Sequence, residues 1–160
     1  MIRSVLLSAL LAAFAVFLSG AGSAQAQSAA TPVGLWLTEN GRSVIAVEPC
    51  RDPSLLCGHI HWIIEGGMQH DSKNPDQALR NTPMCGLQIM SGFRQHDARN
   101  WGDGRIYKAD EGDTYNANMQ LLPNGKMIVR GYVGMPLFGK SQTWTRVSGV
   151  DFPQCRAPKD

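Results

Sequence analysis

The sequence has no run or stripe of basic residues, and its opposite charges nearly balance. Lys and Arg together number 15 and Asp and Glu 13, which gives a formal net charge of +2 at pH 7. Proteins that bind nucleic acid usually present clustered positive charge to the phosphates. We therefore expect no nucleic-acid partner.

Signatures of enzymes and cofactor sites are also missing. The sequence has no G-x-S-x-G motif, and the glycine-rich segments 65–67 and 102–104 are not followed by the helix and lysine of a phosphate loop. Several carboxylates could be paired for acid–base catalysis, among them Glu48, Asp71, Asp76 and Asp103. Their spacing in the sequence favours no particular pair. We therefore expect a protein without catalytic activity or cofactor.

Charge is nearly absent from the first 26 residues. Arg3 is the only charged residue there, an almost wholly apolar run covers residues 5–18, and Ala24-Gln25-Ala26 ends the segment. This order is typical of a secretory signal peptide, and the apolar run is short for a membrane anchor. The first cysteine, Cys50, is too distant to accept a lipid. The sequence predicts a signal peptide over residues 1–26 and a periplasmic or secreted single domain over 27–160.

Cysteines are few and lack the C-x₂-C spacing that structural zinc sites favour. An even number in an exported chain favours two disulfides, for which three pairings exist. Cys50 and Cys57 flank a short turn between two strand-like segments, so we predict Cys50–Cys57 and, for the remaining pair, Cys85–Cys155.

Repeats and low-complexity segments are absent from residues 27–160, where short strand-like segments recur instead. Turn signals such as Asn40-Gly41 and Asn124-Gly125 separate them. This pattern predicts one all-β domain, an antiparallel barrel or sandwich of about eight strands. The predicted strands cover residues 33–38, 43–48, 58–64, 87–93, 104–108, 114–121, 126–133 and 141–147.

Alternation within two of these segments predicts which side chains are buried. Tyr115, Ala117, Met119 and Leu121 fall on one face of their strand. In the segment 58–64, Ile60, Trp62 and Ile64 would share the buried face, which leaves His59 and His61 facing solvent.

A long polar segment, residues 65–83, interrupts the series of strands. Its length suggests internal structure or a function. Asn74 is suited to be a helix N-cap, with Pro75 at the first helical position and Asp76 in the first turn. We expect a short helical turn there.

The histidines His59 and His61 raise the question of a metal site. Being two residues apart on a strand, they could bind a metal together with His70, Asp71 or His96. A polar strand face is the simpler explanation, and we predict no metal site.

Aromatic and basic residues near the two ends of the domain suggest how a barrel would close. Trp36 lies in the first predicted strand, and Trp144 and Arg146 lie in the last. A barrel pairs its first and last strands, so Arg146 could stack on an indole and seal one end. The alternative, in which Trp36 is ordinary core and Arg146 ordinary surface, remains equally open.

Six segments, taken in order from Gly34 to Arg146, resemble the bacterial envelope family catalogued as domain of unknown function 2147. The resemblance implies an exported β-barrel similar to lipocalins, and it implies no established activity. The segments are GLW, LCGHIHWI, NPDQALRNTPMCGLQIMSGF, WGDGRIYKADEGDTY, MQLLPNGKMIVRGYVG and FGKSQTWTR.

A ligand carrier is the first functional hypothesis. An eight-stranded barrel has room for side chains or for one small ligand. We expect a small hydrophobic or amphipathic ligand. The apolar turn, residues 135–138, would act as a portal or contact a membrane surface or an envelope protein. The residues predicted to line the interior and rim are Trp36, Ile60, Trp62, Met119, Leu121, Val129, Met135, Leu137 and Phe138.

The second hypothesis is a non-enzymatic interaction module of the cell envelope. Small barrels can be filled entirely by their own side chains. The apolar turn would then be a protein contact, with Trp101, Tyr107 and Tyr132 as recognition residues.

Overall fold

The computed structural model of the protein describes residues 31–156, and the predicted signal peptide lies outside them. Eight strands, β1 to β8, make up most of this range. In chain order their bounds are Gly34–Leu37, Ser43–Pro49, Leu55–Ile63, Gln88–Gln95, Asn100–Lys108, Asp113–Leu121, Met127–Tyr132 and Lys140–Val147.

The strands form one closed antiparallel barrel whose spatial order follows the sequence. Each strand pairs with the next, and β8 returns to pair with β1, with Trp36 opposite Arg146. The prediction of an antiparallel barrel of about eight strands is confirmed. The loops after β1, β3, β5 and β7 surround one end, called here the open end, and the other loops and the start of β1 surround the closed end.

The strand β5 begins earlier than the sequence predicted. The predicted strand 104–108 left Gly102 and Asp103 outside it. The structure keeps them inside the strand as a bulge, with a register shift between Trp101 and Gly104 and with Asp103 at a φ of 59°. A bulge accommodates an extra residue without ending a strand. Glycine at position 104 leaves room for the ring of Phe93, which would lie 2.5 Å from a Cβ there.

The closed end is sealed by an arginine stacked on a tryptophan. The guanidinium carbon of Arg146 lies 4.3 Å from the ring centroid of Trp36. Arg146 donates from Nη1 to the carbonyl of Val33 at 2.8 Å, and Trp36 donates from Nε1 to the carbonyl of Pro32 at 2.7 Å. Trp144 takes no part in the stack and is buried further inside the barrel, opposite Met127.

A bulge in β3 overturns the predicted face of Ile60, Trp62 and Ile64. His61 is an extra residue between the pairs Ile45–Ile60 and Val44–Trp62. Each extra residue reverses the alternation that follows it. Ile60 is therefore inside the barrel, whereas Trp62 packs edge-on against Phe152 outside it, with ring centroids 4.9 Å apart.

The C-terminal tail covers this outer face of β3. The imidazole Nε2 of His61 lies 3.1 Å from the carbonyl oxygen of Phe152, and Cys155 donates its N–H to the carbonyl of His61 at 2.8 Å. His59 lies beside Glu48, 3.1 Å away. Both histidines lie on the outer face of the barrel and are partly exposed. The packing of the tail over His61 was not predicted.

Both predicted disulfides, Cys50–Cys57 and Cys85–Cys155, are present. The first closes the turn between β2 and β3, and the second joins the loop after β3 to the tail. Two disulfides indicate an oxidising compartment, as expected of an exported protein.

The predicted helical turn in the long loop exists, but it begins two residues later than expected. It is a single 3₁₀ turn, Gln77–Leu79, and its N-cap is Asp76, whose carboxylate accepts the N–H of Ala78 at 2.9 Å. Asn74 instead accepts the N–H of Asp76, at 2.9 Å. Asn74 thus closes the bend that precedes the turn, and the aspartate takes the capping position.

Candidate ligand-binding cavity

A cavity of about 880 Å³ occupies the half of the barrel nearest the open end. Side chains fill the other half, where Trp36, Phe93 and Met119 are fully or almost fully buried. The cavity is reached between the loops that follow β1, β3, β5 and β7. The barrel is thus a cup with a packed base.

The inner wall of the cup is mostly apolar. At its base lies Trp144, only 2% exposed, whose Nε1 donates to the side-chain oxygen of Gln142 at 2.9 Å. Met84, from the long loop, supplies part of the wall and is itself buried. The other apolar wall residues include Ile60, Ile63, Ile89, Ile106 and Val129.

Part of the free space exists because position 131 is a glycine. A Cβ at Gly131 would lie 3.6 Å from the nearest atoms of Ile106 and Tyr115, which is ordinary van der Waals contact. A larger residue could therefore be placed there without a backbone clash, and its side chain would project into the cavity. Gly131 offers a way to fill the cup by a single substitution.

The mouth of the cavity carries five charged side chains, of which three form ion pairs with one another. Lys108 forms ion pairs with Asp110, at 3.7 Å, and with Glu111. The hydrogen bond from Lys108, and next that from Tyr115, lower the pKa of Glu111, while the same bonds raise the pKa of Lys108 and of Tyr115.

The other two cations at the mouth are Arg42 and Lys140. Lys140 contributes weakly to lowering the pKa of Glu111. Within residues 31–156, however, neither Arg42 nor Lys140 has a carboxylate within 4.0 Å. Both acids at the mouth are therefore engaged by Lys108, while two cations remain available.

The long loop after β3 is fastened to the barrel by a buried carboxylate. Asp71 is fully buried and accepts hydrogen bonds from the hydroxyl of Tyr107 and from the amide nitrogen of Asn74, each at 2.7 Å. Burial, and next the bond to Asp71, raise the pKa of Tyr107 to about 12. Nothing in the sequence distinguishes Asp71 from the other acids, since its burial depends on where the loop packs.

The long loop also makes a close backbone contact with the turn after β5. A Cβ at Gly112, in the turn after β5, would lie 2.1 Å from the carbonyl oxygen of Lys73 in the long loop. Only glycine allows the two segments to approach so closely. The long loop, which brings Met84 into the cavity wall, is therefore held at three places: Asp71, Lys73 and the disulfide of Cys85.

The apolar turn lies beside the cavity mouth and points outward. Met135, Leu137 and Phe138 are 59%, 77% and 72% exposed, and the preceding Val133 is 70% exposed. Residues 136–138 form a 3₁₀ turn. Arg130, in β7, donates to the carbonyl of Pro136 at 2.7 Å and to that of Leu137 at 3.2 Å. These two hydrogen bonds hold the turn in its shape.

The residues predicted for the ligand site lie in five different places. Ile60 and Val129 line the cavity, and Phe138 lies at its mouth. Met135 and Leu137 are exposed on the apolar turn outside the cavity, and Trp62 is on the outer surface. Trp36, Met119 and Leu121 belong to the packed base rather than to the cavity wall.

In residues 31–156 no three His, Cys, Asp or Glu side chains are grouped so that they could hold a metal ion. Over the same range no helix is both long and apolar enough to cross a membrane.

A closed eight-stranded antiparallel barrel of this kind is a lipocalin-like fold. Residues 34–146 match the family described as "Uncharacterized protein conserved in bacteria (DUF2147)", and the chain belongs to this family. The resemblance seen in the sequence is confirmed. A search of curated proteins gave no match.

A solved structure supports the assignment of the fold. It is the protein HP1028 from the human pathogen Helicobacter pylori, described as belonging to the lipocalin family. The match has a TM-score of 0.66 and 22% sequence identity, and covers 74% of this chain and 84% of that one. At this level of identity the likeness concerns the fold alone.

Proposed function

We propose that the protein binds one small amphipathic molecule in the cup, with the apolar part inward and an acidic head group at the mouth. The observation that carries this proposal is the cavity of about 880 Å³, open at one end of a barrel whose other end is packed. Sites for small molecules are typically about 300–1,000 Å³ in volume. The cavity therefore has the size of a site for one such molecule.

The wall favours an apolar partner for most of its area. Ile60, Ile106 and Val129 present only hydrocarbon, so a ligand that covers them gains by removing apolar surface from water. Met84 adds an unbranched side chain that can adapt to ligands of different shapes.

The mouth favours an anionic head group. Asp110 and Glu111 are already paired with Lys108, whereas Arg42 and Lys140 have no carboxylate partner within residues 31–156. A carboxylate or phosphate on the ligand would supply that partner and would remain partly hydrated.

The test uses a fluorescent apolar probe, N-phenyl-1-naphthylamine, with two substitutions at one position. Gly131→Phe places a ring in the cavity, and Gly131→Ala adds one methyl group in ordinary contact. We expect the wild type and Gly131→Ala to bind the probe, and Gly131→Phe to bind at least about tenfold more weakly because its ring takes the space. Equal binding by all three, with unchanged melting curves, would show that the probe binds elsewhere.

The natural ligand can be sought by native mass spectrometry of protein purified from the periplasm. A discrete adduct that is lost on denaturation would identify the class of ligand. We propose a non-catalytic role in the bacterial periplasm, which the disulfides and the bacterial family support.

The second candidate function is an envelope interaction module. The exposed apolar turn favours it, because large exposed apolar residues commonly mark a contact surface. On this reading the mass spectrum shows no adduct, and Gly131→Phe is functionally silent. A substitution in the turn would instead weaken the capture of a specific partner.

A further inference from the structure

The tip of the β7–β8 connection is a continuous apolar surface. Residues 133–138 carry no polar side chain, and four of the six are large apolar residues at least half exposed. A short connection between adjacent strands is ordinarily polar. Contiguous exposed apolar residues commonly mark a surface that contacts an apolar partner.

Part of the backbone of this tip is hydrogen-bonded internally. The carbonyl of Met135 accepts the N–H of Phe138 at 3.1 Å. The carbonyl of Pro136 accepts from Gly139 at 3.0 Å and from Arg130, and the carbonyl of Leu137 accepts from Arg130. Three consecutive carbonyls are thus satisfied internally, and Pro136 has no N–H to satisfy. In hydrocarbon, unsatisfied backbone groups are the main cost of inserting a loop.

Basic side chains lie immediately beneath the apolar tip. Arg130 supports the turn from below, and Lys140 follows it at the start of β8 with no carboxylate partner within residues 31–156. The apolar side chains are at the outermost point of the tip, and the cations lie between them and the barrel. This order matches that of acyl chains and phosphates in a lipid leaflet.

The size of the tip favours a lipid surface over a protein partner. A stable protein interface buries about 800 Å² on each side. One 3₁₀ turn with four exposed side chains offers only part of such an area, whereas shallow insertion into a bilayer needs no larger complementary surface.

We propose that the open end of the barrel docks onto an anionic phospholipid surface, with the tip, residues 133–138, inserted among the acyl chains. Val133 and Phe138 also line the mouth of the cavity. Docking therefore places the entrance of the cup at the lipid surface, where a molecule can pass between bilayer and barrel with little exposure to water.

The structure offers a variant that removes the tip without touching the cavity. Met135→Asn/Leu137→Asn changes two exposed side chains that do not line the cavity. The matched control is Val150→Asn, since Val150 is an exposed apolar residue (90%) in the C-terminal region. Gly131→Phe serves as the converse variant, with a filled cavity and an intact tip.

Flotation with vesicles of phosphatidylethanolamine and phosphatidylglycerol measures docking directly. We expect the wild type, Val150→Asn and Gly131→Phe to float. Met135→Asn/Leu137→Asn should partition at least about tenfold more weakly, because two large apolar side chains no longer leave water. Vesicles of phosphatidylcholine alone should bind the wild type less well.

Insertion depth provides a second measurement. Leu137→Trp should be quenched by brominated lipids, and Val150→Trp should not. Absence of flotation by the wild type, or equal flotation by Met135→Asn/Leu137→Asn, would overturn the proposal, as would a tip that binds a purified protein partner but no vesicles. Probe binding in vesicle-free buffer reports the cavity separately, so failure of docking and failure of the proposed ligand site are distinguishable.

Discussion

The fully buried carboxylate of Asp71 accepts a 2.7 Å hydrogen bond from the hydroxyl of Tyr107. Asp71 belongs to the long loop after β3 and Tyr107 to the end of β5, so this bond is one of the contacts that join the loop to the barrel wall. The loop in turn carries Met84 into the cavity. The shape of the cup therefore depends on a polar contact that no ligand needs to touch.

Removing the hydroxyl should destabilise the protein. Tyr107→Phe leaves a buried carboxylate with one donor fewer, which should lower the free energy of unfolding by about 1–3 kcal/mol. Urea unfolding followed by circular dichroism measures this change. Tyr132→Phe is the matched control, since the Tyr132 hydroxyl has no hydrogen-bond partner in residues 31–156 and its loss should change little. Similar losses of stability in both variants would refute a stabilising role for the bond between Asp71 and Tyr107.

The same bond predicts a pH dependence at the alkaline end. The pKa of Tyr107 is raised from 10.0 to about 12 in the folded protein, so the folded state holds this proton more tightly than the unfolded state. The resulting stability is complete below pH 10 and is lost as the pH rises from 10 to 12. Ultraviolet titration of the tyrosines should show a phase near pH 12 that is lost in Tyr107→Phe, whereas the raised pKa of Tyr115 is unaffected by that substitution. A wild type that completes its titration near pH 10 would contradict this assignment.

The two disulfides should contribute unequally to stability. They close segments with sequence separations of 7 and 70 residues, for which chain entropy gives about 2.4 and about 4.4 kcal/mol respectively. Cys85→Ser/Cys155→Ser should therefore unfold at a lower urea concentration than Cys50→Ser/Cys57→Ser. Hydrogen exchange should also show the outer face of β3 exposed in the first variant alone, because the tail would no longer be held against His61.

The charge at the cavity mouth should select among probes. Lys140→Glu reverses a charge at the mouth and should weaken binding of the anionic probe 1-anilinonaphthalene-8-sulfonate by about fivefold at low salt. Binding of the neutral N-phenyl-1-naphthylamine should hardly change. Lys126→Glu makes the same charge change in the β6–β7 turn at the opposite end and is the control. Equal losses for both probes would indicate damage to the cavity rather than altered charge selectivity.

The regular parts of the barrel were predictable because alternation is a local property. Residues 115–121 of β6 follow the predicted faces, with Ala117, Met119 and Leu121 buried. Trp62 was misplaced because a bulge at His61 depends on how β2 and β3 pair, and the sequence of β3 alone carries no sign of it.

The cavity itself was beyond prediction for a related reason. Its volume depends on a missing side chain at Gly131 and on where the long loop packs, and both are tertiary properties. Asp71 illustrates the point, because nothing in the neighbouring sequence shows whether this carboxylate is buried and hydrogen-bonded or exposed to solvent. The composition of the apolar turn was visible in the sequence, but its support by Arg130 was not.

The pairing of β1 with β8 has a consequence for the order of folding. Arg146 bonds the carbonyl of Val33 across 113 positions of sequence, so the two strands that complete the barrel lie at opposite ends of the domain. Neighbouring strands can form hairpins as soon as both exist, whereas the seam requires the whole domain. We therefore expect the β1–β8 seam, and with it the stack of Arg146 on Trp36, to form after the hairpins between neighbouring strands.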